Sequence, residues 1–165
     1  MNFRKECFLA NERGASLILR DFRREDQDAV KALVLDGLKG RWGTLKPGLN
    51  PDLDDIAVTY TDGHFLVGES ENLIVACGAL IPRSDHTFEI VRMSVDLSCR
   101  RQGLGTRVLH ALVQRARSAG SQRLILETTR GWDDAVAFYE RYGFIYTHLI
   151  DDEFGGQLHF ALEMN

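Results

Sequence analysis

Cysteine is scarce: Cys7, Cys77 and Cys99 stand far apart in 165 residues, with no C-x-x-C pair and no nearby histidine pattern suited to zinc. The expectation is neither a disulfide framework nor a metal site, and Cys99 reads as a loop cysteine with no catalytic role. Net positive charge is also missing. Against 20 Lys and Arg stand 24 Asp and Glu, a formal net charge of -4, so no global field for nucleic acid exists. No segment approaches the length of a membrane span and the N-terminus lacks the apolar run of a signal peptide, which predicts a cytoplasmic protein that binds no membrane. Two nucleotide signatures are absent as well. No Gly-Lys-Ser/Thr follows a glycine-rich loop, and Val108 stands where a G-x-G-x-x-G fingerprint starting at Gly103 would need its last glycine. What remains, 44% hydrophobic and 27% charged residues, is the balance of a domain with a proper core.

The most informative stretch runs from Thr87 to Gly120, where a strand-like run meets a helix-like run through a basic, glycine-bearing joint. In the strand, Phe88, Ile90, Arg92 and Ser94 alternate with Glu89, Val91, Met93 and Val95, leaving Glu89 alone on an otherwise apolar face. In the helix, Leu104, Val108, Ala111, Leu112, Ala116 and Ala119 form an apolar stripe, and Gly120 follows its end. Between them, Arg100, Arg101, Gln102, Gly103, Leu104 and Gly105 enter the helix without a Ser, Thr, Asp or Asn placed to cap the first amides. Those amides stay available to an external acceptor. Glycine at 103 and 105 lets the backbone approach a ligand, and a helix start favours phosphate oxygens. Arg92, Arg100, Arg101 and Arg107 add local positive charge, and the joint reads as a pyrophosphate cradle.

The rest of the chain alternates strands and helices. Residues 1–15 fit neither period and are expected as an N-terminal arm or extra strand; residues 16–165 are expected as a single domain. Leu17 to Leu19 reads as a strand, and Ala29 to Leu38 as an amphipathic helix. Asn50 and Pro51 suggest a second helix running towards Tyr60, with Asp52, Asp54 and Asp55 explained by the helix dipole and not taken as a site. His64 to Gly68 and Leu73 to Ile81 form a hairpin leading into the Glu89 strand. Arg123 to Thr128 fits a buried strand parallel to it, Asp133 to Tyr142 a helix ended by Gly143, and Phe144 to Ile150 with Leu158 to Met164 a last hairpin.

The spacing Arg100-x-x-Gly103-x-Gly105, after a strand and opening a helix, resembles the acyl-CoA loop of the GNAT superfamily of N-acyltransferases. Ala135-Val136-Ala137-Phe138-Tyr139-Glu140-Arg141-Tyr142-Gly143-Phe144 is similar to the family's A-x-x-F-Y-x-x-x-G-F segment and follows in the family's order. The resemblance implies an α/β (mixed α+β) three-layer fold. Its mixed, mostly antiparallel sheet has about seven strands flanked by about four helices and is splayed between the fourth and fifth strands. It further implies acetyl-CoA as acyl-donor cosubstrate, with no metal. Backbone at Arg101, Gln102, Gly103, Leu104, Gly105 and Thr106, beside Arg100, would hold the pyrophosphate, and Met93, Ser94 and Val95 would pair with the pantetheine arm. Glu89 matches the family's general base, acting directly or through water, against an alternative as an ion-paired structural residue; Tyr139 matches its general acid towards the thiolate. One departure is visible: many relatives carry asparagine seven positions before the tyrosine, where this chain has Trp132, with Asp133 beside it as a helix cap or substitute.

The implied activity is acetyl transfer by direct attack in a ternary complex, on a primary amine of a small molecule, an amino acid derivative or a protein. In such proteins the region corresponding to Gly40 to Leu49 lines the acceptor side. The resemblance also admits a homodimer and, as alternative, a catalytically silent acyl-CoA sensor of the same fold. The acceptor itself is not legible in the sequence.

Overall fold

The computed structural model describes residues 17–164, so the expected N-terminal arm lies outside the described residues. Seven strands are present among them: β1 (Ile18–Asp21), β2 (His64–Ser70), β3 (Leu73–Ser84), β4 (Thr87–Val95), β5 (Arg123–Thr129), β6 (Ile145–Ile150) and β7 (Gln157–Glu163). Four α-helices accompany them: α1 (Gln27–Trp42), α2 (Ile56–Thr59), α3 (Leu104–Ser118) and α4 (Asp133–Tyr142). The sheet order is β1-β2-β3-β4-β5-β7-β6. β4 and β5 are parallel, from Thr87 opposite Arg123 to Ile90 opposite Leu126, whereas β5 keeps its antiparallel partner β7 through Thr129 opposite Gln157. The parallel pairing thus ends at Ile90 and Leu126. The final hairpin does not simply extend the edge: β7 inserts between β5 and β6.

The described chain gathers into two compact units, residues 17–79 with 92–112 and residues 80–91 with 113–164. In the first, β1 pairs with β2 from Ile18 opposite Glu69 to Asp21 opposite Leu66. A polar staple ties these strands to the start of α1. Arg20 donates to Asp26 at 2.7 and 2.9 Å and to Glu69 at 2.8 Å, while Asp26 also accepts the Arg23 amide at 2.8 Å. The Arg20 bonds hold the buried Asp26 carboxyl below its ordinary range, outweighing burial, which pushes the other way. Val30, Leu33 and Val34, at helical spacing, are the buried residues of α1.

The helix expected from Pro51 to Tyr60 is broken. A 3-10 turn, Pro51–Leu53, is followed by the short α2, and Asn50 makes no capping bond; Asp55 caps α2 instead, accepting from the Val58 amide at 3.1 Å. The cause comes from α1. The Gln27 side chain donates to the Leu53 carbonyl at 2.8 Å and accepts from the Ile56 amide at 3.0 Å, satisfying groups that helical hydrogen bonds would otherwise use. The β2–β3 hairpin turns on Glu71 and Asn72, both left-handed at φ 50° and 63°, as a two-residue turn demands. α3 presses closely on β3: a Cβ at Gly78 would lie 2.6 Å from Met93 Sδ and 2.9 Å from Leu112, so a larger residue there would have to displace these side chains. Its buried stripe includes Leu104, Val108, Leu109, Leu112, Val113 and Ala116, correcting Ala111 and Ala119, which are half-buried and exposed.

In the second unit, Leu124, Leu126 and Phe160 are buried on β5 and β7. Tyr139 and Phe144 join them in its core, with the Phe144 amide bonded to the Tyr139 carbonyl at 3.1 Å past the end of α4. Asp152 organises the β6–β7 turn by accepting from the amides of Phe154 at 2.8 Å and Gly156 at 2.9 Å.

Candidate active site

A kinked strand and a glycine turn lie in the first unit. Arg92, inside β4, has φ 55°, a left-handed conformation that kinks the strand and costs a non-glycine residue about 1–3 kcal/mol. Its side chain is held firmly. Asp52 accepts from Arg92 Nε at 2.8 Å and Nη2 at 2.5 Å, Asn50 accepts from Nη1 at 3.0 Å, and the Tyr60 hydroxyl donates to Asp52 at 2.7 Å. Burial would raise the Asp52 carboxyl, but Arg92 and Tyr60 outweigh it and hold the group below its ordinary range. Burial, and then Asp52, push the Tyr60 hydroxyl far up. On the backbone side, the Arg92 carbonyl accepts from Cys77 Sγ at 3.3 Å; burial pushes that thiol up to about 12, so it stays a neutral donor.

Past Arg92, adjacent side chains of β4 still point to opposite sides. Met93 faces Gly78 and α3, whereas Ser94 lies towards Gly37 of α1, its Oγ 3.9 Å from where a Cβ there would stand. Asp52, which the helix dipole alone explained, is thus the anchor of the strand. Only pairing across 40 residues reveals this, and no local spacing carries it.

After β4, Asp96 accepts from the Ser98 amide at 2.9 Å and starts a 3-10 turn, Leu97–Cys99. Arg100 donates through Nε to the Val95 carbonyl at 3.2 Å, Arg101 is left-handed at φ 62°, and Gly103 at φ 78° delivers the chain into α3. A Cβ at Gly103 would meet nothing within 4 Å, so the backbone there borders open space. The Gly103 carbonyl takes the first helical bond, from the Arg107 amide at 3.1 Å. Arg101, Gln102, Gly103 and Thr106 are exposed and Gly105 half-buried, while Leu104 turns its side chain into the core and can offer a ligand only its amide. Cys99, expected as a free loop cysteine, is buried and disulfide-bonded.

Glu89 and Tyr139 lie in the second unit. Glu89 is 9% exposed, opposite Ile125 in the parallel ladder, and its carboxylate is paired with the Arg83 guanidinium. Its charge is thus already matched, and the face it shares with Ile125 also carries Glu127 and His159. Tyr139 of α4 is 8% exposed and meets the rings of Phe138 and Phe144 edge-on at 5.1 and 6.0 Å. Trp132, not Asp133, is the residue before α4, without a side-chain cap; Asp133 stands in the first turn, where the helix dipole favours it. Among the described residues no His, Cys, Asp and Glu group is arranged to hold a metal ion, and no helix is long and apolar enough to cross a membrane.

A kinked strand running through an arginine- and glycine-bearing turn into a helix lies within residues 28–144, and over that span the profile of the acetyltransferase (GNAT) family matches. The chain belongs to this family. It is 32% identical over 120 residues to an IAA acetyltransferase of Azospirillum brasilense, covering 72% of this chain and 78% of that one. It is 31% identical over 115 residues to N-acetyltransferase family 8 member 3 of Mus musculus, covering 61% of this chain and 51% of that one, so it spans about half the mouse relative's length. A GNAT-family acetyltransferase from Staphylococcus aureus Mu50 matches its fold with a TM-score of 0.81, covering 91% of this chain and 100% of that one at 17% identity. yncA of Salmonella typhimurium, solved with its cofactor acetyl-CoA, matches with a TM-score of 0.74, covering 91% and 95% at 16% identity. At such identities the two structures speak for the GNAT fold alone.

Proposed function

We propose that this GNAT protein transfers an acetyl group from acetyl-CoA to a primary amine of a small molecule, an amino acid derivative or a protein, by direct attack in a ternary complex. The observation that carries the reading is the turn at Gly103. Its left-handed backbone, open surroundings and position at the start of a 15-residue helix suit oxygens of a pyrophosphate, and Arg100 and Arg101 add charge beside it. Amides from Arg101 to Thr106 bind the phosphates, and the backbone of Met93, Ser94 and Val95 orients the pantetheine arm.

Acetyl-CoA supplies the activated acyl thioester. The chain must supply proton transfers, because an amine with a pKa of about 10.4 is only about one part in 2500 neutral at pH 7, a handicap of roughly 4.6 kcal/mol. Glu89 takes that proton, directly or through water, in competition with Arg83 for its carboxylate. Tyr139 donates its hydroxyl proton towards the departing thiolate. Acyl-CoA donors are intracellular, so we place the reaction in the cytoplasm, where reducing surroundings would open the Cys99 disulfide.

The test combines melting curves with free-thiol detection over a panel of polyamines, arylalkylamines, amino acids and amino-terminal peptides. Acetyl-CoA at about 100 times its dissociation constant adds ~2.7 kcal/mol of stability, and Gly103→Val should remove that gain while the fold persists. Thiol release with at least one amine completes the case. Binding without release from any amine would instead indicate a silent sensor, and an unchanged response in Gly103→Val would mean that the phosphates bind elsewhere.

A further inference from the structure

Directly opposed residues on neighbouring strands share a face of the sheet. Glu127 of β5 opposes His159 of β7, and His159 opposes His148 of β6, so a carboxylate and two imidazoles form one cross-strand row. Ile125, two positions before Glu127 on β5, opposes Glu89, which sets the row on the same face as Glu89. Glu127 is also the first residue of β5 beyond Leu126, the last to pair with β4. The other face of these strands carries the buried Leu124, Leu126 and Phe160. His148 and His159 lie beyond residues 28–144, the span matched by the family profile, and Glu127 lies within it.

The hydrogen bonding of the row is incomplete at one atom. The imidazoles of His148 and His159 stack with centroids 4.4 Å apart and 5° between their planes. Thr147 donates its hydroxyl hydrogen to the His159 carbonyl at 3.1 Å, so its 2.9 Å contact with His148 Nδ1 is accepted from an N–H. His148 is thereby fixed as the Nδ1-protonated tautomer. His159 Nε2, by contrast, is buried and has no hydrogen-bond partner; Glu127 Oε2 stands 3.6 Å away, at ion-pair range. A buried polar atom left unsatisfied costs about 1–3 kcal/mol, which a donor arriving with the acceptor would relieve.

We propose that His159 is a proton acceptor for the acceptor amine, and that Glu127 stabilises the imidazolium that results. The inference rests on the N-acetyltransferase reading above. In this arrangement the acceptor's ammonium donates to Nε2 instead of to Glu89, whose carboxylate Arg83 already holds; its N–H bond breaks, the electron pair stays on the amine nitrogen, and the proton forms the new Nε2–H bond. Histidine is the side chain suited to changing charge near neutrality. The charged and titratable groups on this face are Glu127, His148, Glu89 with its Arg83, and Arg123, which is paired with Glu163 at 3.1 Å. Glu127 favours a charged His159, a protonated His148 stacked on it opposes one, and Glu89 is already matched by Arg83. The acceptor class that fits is a cationic primary amine beside Glu127.

The experiment measures kcat/KM for an amine from the same panel against pH, in wild type, His159→Gln and the half-exposed Glu127→Gln, whose fold is under little threat. His159→Gln should lose about 100-fold at pH 7, lose the acidic limb of the profile and recover at high pH, where the amine deprotonates itself. Glu127→Gln should lose less in the same direction, and in both variants the acetyl-CoA melting shift should persist. A wild-type profile in both variants, or a fall in acetyl-CoA binding that accounts for the loss, overturns the inference alone. Wild type releasing thiol with no amine overturns the enzymatic reading and this inference together.

Discussion

Two polar clusters of this GNAT protein are built oppositely. Around Arg92, the guanidinium meets Asp52 twice and Asn50 once, Tyr60 completes Asp52, and even the kinked backbone carbonyl receives a thiol. Around His159, rings stack and a carboxylate stands near, yet the buried Nε2 has no hydrogen bond. The first arrangement holds a strained strand in place; the second leaves an atom open for a proton. A satisfied network resists change, and an unsatisfied one is where a ligand gains most.

The largest effect should come from breaking the satisfied cluster. Asp52→Ala strands the Arg92 guanidinium and removes what holds the left-handed kink. We expect a loss of about 3 kcal/mol in stability, the lower end for breaking a buried pair, because both side chains keep some solvent contact. Urea unfolding measures it. A loss below about 1 kcal/mol would mean that the clamp is ornamental and the kink is held by the backbone alone.

Acid should weaken the same cluster more gently. Asp52 and Asp26 both have carboxyls depressed in the folded protein, so each contributes stability that is present above the ordinary carboxylate range and lost as pH falls through the folded value. Stability should therefore fall as the pH drops below about 4. In Asp52→Asn, which has no proton to gain there, the acid loss should be smaller than in wild type. Equal slopes in the two proteins would show that Asp52 does not draw its charge preference from Arg92.

What the sequence revealed follows the same division between local and distant. The stripe of α3, the Gly103 turn, the end of α4 at Gly143 and the β2–β3 hairpin depend on spacings of a few residues, and all are legible. The break between Leu53 and Ile56 depends on Gln27, 26 and 29 residues away, and the Arg92 clamp on Asp52, 40 residues away. The His159 row needs a register: Glu127, His148 and His159 are unremarkable until β7 is known to lie between β5 and β6. Glu89 shows both sides. Its place among apolar neighbours along its own strand is readable, but the polar row on the same sheet face needs the register, and its pairing with Arg83 requires knowing that β3 continues through Ser84 and turns tightly into β4.

The smallest expected effect sharpens the comparison most. His159→Gln removes a ring whose Nε2 makes no hydrogen bond, so little favourable polar energy is lost. What disappears is the stack on His148 and part of the attraction to Glu127, whose side chain is 49% exposed and therefore well screened. Glutamine also has donors and an acceptor with which to find new partners or water. The net change in stability should lie within about 1 kcal/mol, against about 3 for Asp52→Ala, when both are measured by urea unfolding at one pH with unchanged m values. The contrast with activity is the point: the variant that hardly touches folding should lose turnover far out of proportion. If His159→Gln instead destabilises as much as Asp52→Ala, the row is a structural stack like any other, and the distinction between a holding cluster and a proton-accepting one fails.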